Sequence, residues 1–531
     1  MLSRPTDHTI TVSIVFNTPV ETYLEYGSKT GVYGSSTVMD TSVLNETVEI
    51  LLSGLQPETR YYYRTRYRKI GDLVFLAGTE HTFMTQRKKG SPFVFTIESD
   101  PHPYDPKGYH PLWDISLQNQ LKDGADFMLD LGDTFGDDHK VTTITSAQVQ
   151  QLMLDNLPHF GGVCHSMPLY FCLGNHEGEN GYFLLQTPPN NMAVYETRWR
   201  KMYYPNPFPD GFYTGNSTVE NFGMDKPENY FAWEWGDALF VVIDGWRYYT
   251  TSAKPRNWDW TIGETQYKWL KQTLENSTAK FKIVFTHHVM GETRGGIGVA
   301  NQCEWGGYDG NGKYLFTQYR PGWEMPIHQL MVKNNVSVLF QGHDHVYARE
   351  ELDNIVYQTV PMPSDSSYSL GYIANGAAFT GTVLKGSGHI RVSVNADSLN
   401  VDFVSAVLPK DETDMLKNDQ VVYSYSVKKS NTTALTSKIN GDSPISIFPN
   451  PADDRFSIQM GNHEKRLASI RILSLEGKSL NLLKPDQQLG SNTYIVSTID
   501  FNGNRLSNGI YCILLTFDDQ SKAYKKLVVK G

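Results

Sequence analysis

Four cysteines in 531 residues (Cys164, Cys172, Cys303 and Cys512) are too few and too scattered for a disulfide framework or a thiolate zinc site. They leave the redox compartment open. No run of about 18 apolar residues occurs, so no membrane-spanning helix is expected. A surplus of positive charge is missing too. Against 47 Lys and Arg stand 57 Asp and Glu, a net charge of −10, which argues against non-specific nucleic-acid binding. Met1-Leu2-Ser3-Arg4 leads straight into polar sequence without a visible signal peptide. The chain is therefore expected either to be cytosolic or to be numbered from after a removed leader. The pattern GxxxxGK[ST] does not occur, which argues against a P-loop nucleotide hydrolase. Aromatic residues are abundant: 31 Tyr, 25 Phe and 10 Trp. With 40% hydrophobic and 20% charged residues, the composition excludes a disordered chain. At about 150 residues per domain, the length suggests three domains or a large one with appendages.

The first 86 residues read as strands. Ile10–Phe16, Thr47–Leu52 and Tyr61–Tyr67 alternate in character, with turn residues between them. Gly54–Tyr61, a turn feeding a Tyr-rich strand, resembles the corresponding turn of fibronectin-III-like sandwiches. Leu24-Glu25-Tyr26-Gly27 resembles the N-terminal sandwich of purple acid phosphatases. The Tyr stripe is expected to be sandwich surface and core rather than a ligand platform. A basic hinge, Gln86–Pro92, ends this region.

From Phe93 onward, short apolar runs each end in a polar cluster: FVFTI before ESDPH, FMLDL before GDTF, PLYFCL before GNHE. LFVVI before DGW, KIVF before THH, and VSVLF before QGHDH continue the series. The spacing predicts a helix over Glu264–Asn276 with Tyr267, Leu270 and Leu274 on one face. Apolar strands interleaved with helices imply an α/β domain whose sheets are buried on both faces. Such folds place active sites at the C-terminal ends of their strands. Two long stretches, Gly178–Asn229 and Gly291–Gly322, read as irregular segments of the kind that form lids or binding walls. Trp246, Tyr248, Trp305 and Tyr308, in or near them, either stack against a substrate ring or pack the loops, and packing is the expected role. Strands return at His389–Val394 and Ser398–Val404, and the domain closes near residue 428.

The polar clusters in order are Asp100-Pro-His102, Gly132-Asp133, Gly174-Asn175-His176-Glu177, His287-His288 and Gly342-His343-Asp344-His345. Oxygen and imidazole donors without thiolate suit Zn, Mn or Fe. Seven such donors are too many for one tetrahedral ion, which points to two ions bridged by a carboxylate. The glycines before Asp133, Asn175 and His343 allow sharp turns at the strand ends. Any one GD or GNH is more often a loop or cap, and a lone THH is as often a packed histidine. Five in order, each at a strand end, are not explained that way. His288, Glu177 and Asp344 read as groups orienting the ligands. Asp137-Asp138 reads as a solvated acidic turn, and Cys164 and Cys172 as core residues or an incidental pair. Two divalent ions, less the charges of Asp100, Asp133 and a bridging hydroxide, leave one net positive charge for an anionic substrate. The ions lower the pKa of water so that hydroxide exists near neutral pH. No Ser or Cys nucleophile is required.

The series DxH, GD, GNHE, VxxH (Val284 to His287) and GHxH resembles the calcineurin-like metallophosphoesterase signature over about residues 93–428. The resemblance implies two divalent or mixed-valence ions (Fe, Mn or Zn). Asp100, His102, Asp133 and His345 would hold the first. Asp133 as bridge, Asn175, His287 and His343 would hold the second. It also implies that Asn175 and His176 bind substrate, that His176 assists the leaving group, and that a metal-bridging hydroxide attacks phosphorus. GHDHVYAR (Gly342 to Arg349) is close to the purple acid phosphatase form. That subfamily has Gly where this chain has His102, and a ligand Tyr where this chain has Gly136. A ferric–tyrosinate centre is therefore not expected.

After a polar linker, Ile445-Ser-Ile-Phe448-Pro449-Asn450-Pro451, Ser469–Lys478, Leu506–Tyr511 and the closing Lys525–Gly531 resemble the type IX secretion sorting domain. Four segments are expected. They are 1–88, fibronectin-III-like and resembling the purple acid phosphatase N-terminal domain; 92–428, a metallophosphoesterase β-sandwich flanked by helices; 429–444, a linker; and 445–531, a small β-sandwich for sorting. The expected protein is an exported phosphomonoesterase, secreted or at the cell surface, that takes a phosphorylated small molecule and meets the type IX machinery. The alternatives are a phosphodiesterase or nucleotidase with the same site, or a non-catalytic surface binding protein.

Overall fold

The computed structural model describes residues 1–104, 108–135, 143–249, 251–370, 378–428 and 445–530, without the short segments 461–466, 475–478, 484–492, 500–502 and 519–521. Gly136, Asp137, Asp138 and the linker 429–444 lie outside the described residues. The chain divides into two compact units, Met1–Ser430 and Asn431–Gly531.

In the first unit, the N-terminal strands Leu2–Ser3, Ile10–Val15 and Thr47–Leu52 form one sheet, and Val20–Gly27 and Arg60–Lys69 lead a second. Alternation decides which side chains are covered. Tyr61 and Tyr63 point into a core with Leu24, Ile50 and Phe83. On the other face Arg64 and Arg66 pair with Glu25, and Arg68 with Glu21. This part is packed onto the sequence that follows. Leu2 N donates to Cys164 O and the Tyr63 hydroxyl to His165 O, both at 2.7 Å.

Two larger sheets follow. One runs in the order Leu169–Phe171, Phe127–Asp130, Phe93–Glu98, Gly388–Val394, Ser398–Ser405, Val421–Lys428, with the first three strands parallel. The other has eight strands around the parallel set Ala238–Val242, Phe281–Phe285, Val338–Gln341 and Ile355–Thr359. The sheets face each other across an aromatic core in which Phe95, Phe127, Phe240, Phe285 and Phe340 meet. The alternate residues of the same strands, Met128, Leu239, Val241, Val284 and Leu339, face outward to a second core beneath the helices. Both faces are buried, so the central strands are mostly apolar, with buried polar residues such as Glu98, Asp130 and Gln341 at their C-terminal ends. Helix α1 (His110–Lys122) and helix α2 (Ser146–Gly161) belong to this outer layer. The helix Glu264–Asn276 forms as its spacing predicts, with Tyr267, Leu270 and Leu274 buried.

The stretch 178–229 is not simply irregular. It contains a twelve-residue helix, Met192–Tyr203, started by the Asn191 side chain accepting from Val194 N at 3.1 Å. Its covered face is partly charged. Arg200 is buried against Glu179, and Arg247 reaches Glu179 and Glu220 from another strand end. The stretch 291–322 carries three single helical turns, at Ile297–Ala300, Cys303–Gly306 and Phe316–Tyr319.

The second unit has a three-stranded sheet (Ser446–Phe448, Arg455–Gln459, Thr493–Ser497) and a four-stranded one (Ser479–Leu483, Leu467–Leu473, Gly509–Phe517, Lys522–Val529). Phe456, Ile458, Ile470, Ile472, Ile513 and Leu515 form its core. Among the described residues, no helix is long and apolar enough to cross a membrane.

Candidate metal centre

Every polar cluster singled out in the sequence follows a strand end, and both large sheets present those ends to one place. Phe93–Glu98 leads to Asp100 and His102, Phe127–Asp130 to Asp133, and Leu169–Phe171 to Asn175 and His176. The second sheet supplies His287 after Phe281–Phe285, and His343 and His345 after Val338–Gln341. Three overlapping groups result: Asp100, His102 and His345; His102, Asp133 and His176; Asp133, His287 and His343. Within each group the donor atoms lie within 4.8 Å of one another. Asp133 is central. Its Oδ2 lies 3.1 Å from His287 Nε2, 3.5 Å from His102 Nε2 and 4.0 Å from His176 Nε2. Asp100 Oδ1 lies 3.3 Å from His345 Nε2 and 3.6 Å from His102 Nε2.

The turns that present these groups need unusual backbone. Asp100, His102, Asp133, His343 and His345 all have positive φ, between 39° and 67°. Non-glycine residues take this region at a cost of about 1–3 kcal/mol each, which the surrounding structure must offset. The glycines serve two different needs. Gly132 is itself left-handed, with φ 97°. Gly174 and Gly342 have no positive φ. They are required for space, because a Cβ at Gly174 would overlap Asp133 and one at Gly342 would overlap Ser99 and Asp100.

Hydrogen bonds lock the cluster together. His343 N donates to Asp100 Oδ2 at 2.7 Å, and Ser99 Oγ donates to the same oxygen at 2.6 Å. His176 N donates to Asp133 Oδ1 at 2.8 Å. His287 Nδ1 donates to Leu131 O at 2.8 Å, which turns Nε2 toward Asp133. Burial opposes a charge on this ring, but Asp133 and Asp100 outweigh it and raise His287 to about 9. Glu177, Asp344 and His288 orient the turns. Glu177 accepts from Asp133 N, Thr134 N and Gly174 N. Asp344 Oδ2 accepts from Gly295 N at 3.0 Å, and His288 Nε2 donates to Gly295 O at 3.1 Å. Sequence reasoning missed Ser99, although it adjoins the DxH motif. It also missed Arg294, which donates to His343 O from within the 291–322 stretch.

Burial opposes ionisation of Asp100 and Asp133. The neighbouring histidines outweigh it, His287 and His345 for Asp100 and His287 and His176 for Asp133, so both carboxyls stay well below their usual range. Burial drives His343 well below the ordinary histidine value, with His288 and His287 adding to the effect, and burial and His102 lower His345. Both are thus neutral imidazoles, the form that ligates metal. Among the described residues, the buried Asn175 Oδ1 and both ring nitrogens of His343 have no hydrogen-bond partner. Some buried polar atoms elsewhere, such as Ser337 Oγ and Trp233 Nε1, are also unpartnered, but here the unpartnered atoms of Asn175 and His343 belong to one cluster of metal-ligating types. This donor set, carboxylate, amide oxygen and imidazole with no thiolate, fits a pair of Zn, Mn or Fe ions.

Trp246 and Trp305 are buried, and the Trp246 ring packs 5.9 Å from that of His287. Tyr248 takes hydrogen bonds from Asn216 and Asn229, and Tyr308 packs 5.2 Å from Tyr314. All four pack against the protein's own side chains.

Comparison with known proteins agrees with this geometry. Residues 93–347 match the family described as calcineurin-like phosphoesterase, and residues 446–530 match the secretion system C-terminal sorting domain. The chain therefore carries a calcineurin-like phosphoesterase domain and is a metal-dependent phosphoesterase. Its sorting domain makes it a secreted or cell-surface protein. Among solved structures, a purple acid phosphatase from yellow lupin (Lupinus luteus) aligns with 80% of this chain and 73% of its own, at 16% identity and a TM-score of 0.54. PhoD aligns with 80% of this chain and 88% of its own, at 15% identity and the same TM-score. At these identities the likeness is one of fold. No curated protein matches the chain.

Proposed function

We propose that this chain is an exported phosphomonoesterase with a two-ion centre. The observation that carries the reading is the place of Asp133 in two of the three donor groups, with His102 and His176 in one and with His287 and His343 in the other. Asp100, His102, Asp133 and His345 would hold one ion, and Asp133, Asn175, His287 and His343 the other. When bound, such ions supply Lewis acidity toward a phosphoryl group and activate water near neutral pH. The chain's own residues do the rest. His176 has a side chain about one quarter exposed, with its ring edge-on to His102 at 5.1 Å. From this more exposed position it would hold the phosphate and give a proton to the leaving oxygen. Asn175 offers its free side-chain oxygen at the same turn.

The preference for a monoester is supported by the layout shared with the lupin purple acid phosphatase, over a span larger than the family match alone. We assign residues 1–88 to a fibronectin-III-like sandwich, 92–428 to the catalytic domain, 429–444 to a linker and 445–531 to a small sorting sandwich recognised by the type IX machinery. The test is reconstitution of metal-free protein with Mn, Zn or Fe, then assay on p-nitrophenyl phosphate and bis-p-nitrophenyl phosphate. Faster turnover of the monoester supports the reading. Faster turnover of the diester makes the protein a phosphodiesterase, and no turnover of either makes it a binding protein.

A further inference from the structure

Outside the catalytic cluster, α1 and α2 bring together a second set of donors. His110 stands at the start of α1 and Asp114 one turn later; His159 stands in the last turn of α2. Asp114 Oδ1 lies 2.6 Å from His159 Nδ1, and His159 Nε2 lies 3.0 Å from His110 Nδ1. The two imidazoles lie nearly parallel, with centroids 4.9 Å apart.

The carboxylate fixes the tautomer. Asp114 accepts only from a protonated Nδ1, so His159 keeps its proton there and turns a bare Nε2 lone pair toward His110. A carboxylate behind one imidazole, whose other nitrogen faces a second imidazole, is the arrangement that proteins use to orient histidine ligands. Two Zn–N bonds of about 2.0–2.1 Å in tetrahedral geometry put the nitrogens about 3.3 Å apart. The pair needs only a small opening to take an ion in place of the shared proton. Burial and the neighbouring His159 also hold His110 below the ordinary histidine value, which favours its neutral, ligating form. The place is wet enough to complete the coordination with water, since the Asp114 side chain is 52% exposed and that of His159 15%.

We propose that His110 and His159, with Asp114 orienting His159, form an accessory site for one imidazole-seeking divalent ion such as Zn²⁺, separate from the catalytic pair. None of the three belongs to the catalytic groups. The ion would cross-link the start of α1 to the end of α2. Tyr104, on the segment that leaves the DxH turn, lies beside this pair, its ring centroid 6.3 Å from that of His110.

The test uses the full chain with its catalytic pair loaded, titrated with Zn²⁺ by calorimetry and counted for bound metal after gel filtration. Wild type is expected to take one equivalent beyond the catalytic pair. His159→Gln and His110→Gln should each lose that equivalent while keeping the catalytic metal and turnover of p-nitrophenyl phosphate. Asp114→Asn should weaken the extra binding about tenfold by releasing the ring orientation. Zn²⁺ should also raise the melting temperature of loaded wild type and not of either histidine variant, a readout independent of activity. No extra equivalent in wild type, or its retention in both histidine variants, overturns the proposal and leaves the pair a plain hydrogen bond.

Discussion

Glu177 holds the main chain of Asp133 directly: its Oε2 accepts the Asp133 amide at 2.9 Å, and its Oε1 accepts the next amide, Thr134, at 2.7 Å. The position of Asp133 is thus set by a residue from another strand end. Glu177→Gln replaces one acceptor oxygen by a donor facing an N–H. Leaving a buried group unsatisfied costs about 1–3 kcal/mol. Metal affinity is expected to fall about 10–100-fold and to be restored by excess metal. Metal content after dialysis against graded chelator measures it.

Asp133 and His176 should separate by phenotype. Asp133→Ala removes the oxygen shared by two ligand groups, so the protein should lose both its metal and its activity. His176→Ala should keep its metal and lose about 10²–10⁴-fold in kcat, the usual size of a general-acid contribution. Equal loss of metal in both variants would show that His176 is a ligand instead.

The packing of the N-terminal sheets on the catalytic region should weaken in acid. His81 stacks on His165 with centroids 4.0 Å apart, and Thr82 N donates to Ser166 Oγ beside them. Burial, and then the neighbouring His165, lower His81 from 6.5 to about 4. The unfolded chain therefore takes up this proton first as pH falls. The stabilisation is complete above about pH 6.5 and is lost as pH falls toward 4. His81→Phe keeps the stacking and removes the titration. A plot of melting temperature against pH should be flatter for this variant across that window.

An iron-loaded sample should lack a violet phenolate charge-transfer band. His102 lies among Asp100, Asp133 and His345, a nitrogen donor where a phenolate band needs a tyrosine oxygen. Tyr104, near the first motif, is turned elsewhere: its hydroxyl accepts from Asn156 at 3.1 Å. Visible absorption of iron-loaded wild type, beside Tyr104→Phe and Tyr109→Phe, checks this. A band that either variant abolishes would make that tyrosine a ligand.

Loss of residues 445–531 should block export in the native host without harming turnover, because every metal-binding group lies before residue 346. Cell fractionation paired with an activity assay reads both effects. Normal export of the shortened chain would remove the sorting assignment.

The strand ends were legible because a strand buried on both faces is mostly apolar, so the polar cluster that follows stands out. Asp133 after FMLDL and His287 after KIVF are found that way. The helix Glu264–Asn276 showed because its buried face is Tyr267, Leu270 and Leu274. The helix Met192–Tyr203 did not, because Glu196, Thr197 and Arg200 are on its covered side, where periodicity expects apolar residues. Fully buried, Arg200 is matched by Glu179 rather than by water. His110 and His159 were invisible for another reason. Each is one polar residue on an amphipathic helix, and only the crossing of α1 and α2 pairs them.

Asp100 and His343, 243 residues apart in the chain, are joined by one hydrogen bond. The first sheet alone supplies the group His102, Asp133 and His176, whereas the groups that include His343 and His345 need the second sheet as well. A growing chain carries Asp100, His102 and Asp133 without His343 and His345 until the strand Val338–Gln341 has docked. Completion of the donor set therefore waits for that docking, so the full centre belongs to the folded unit and not to either sheet by itself.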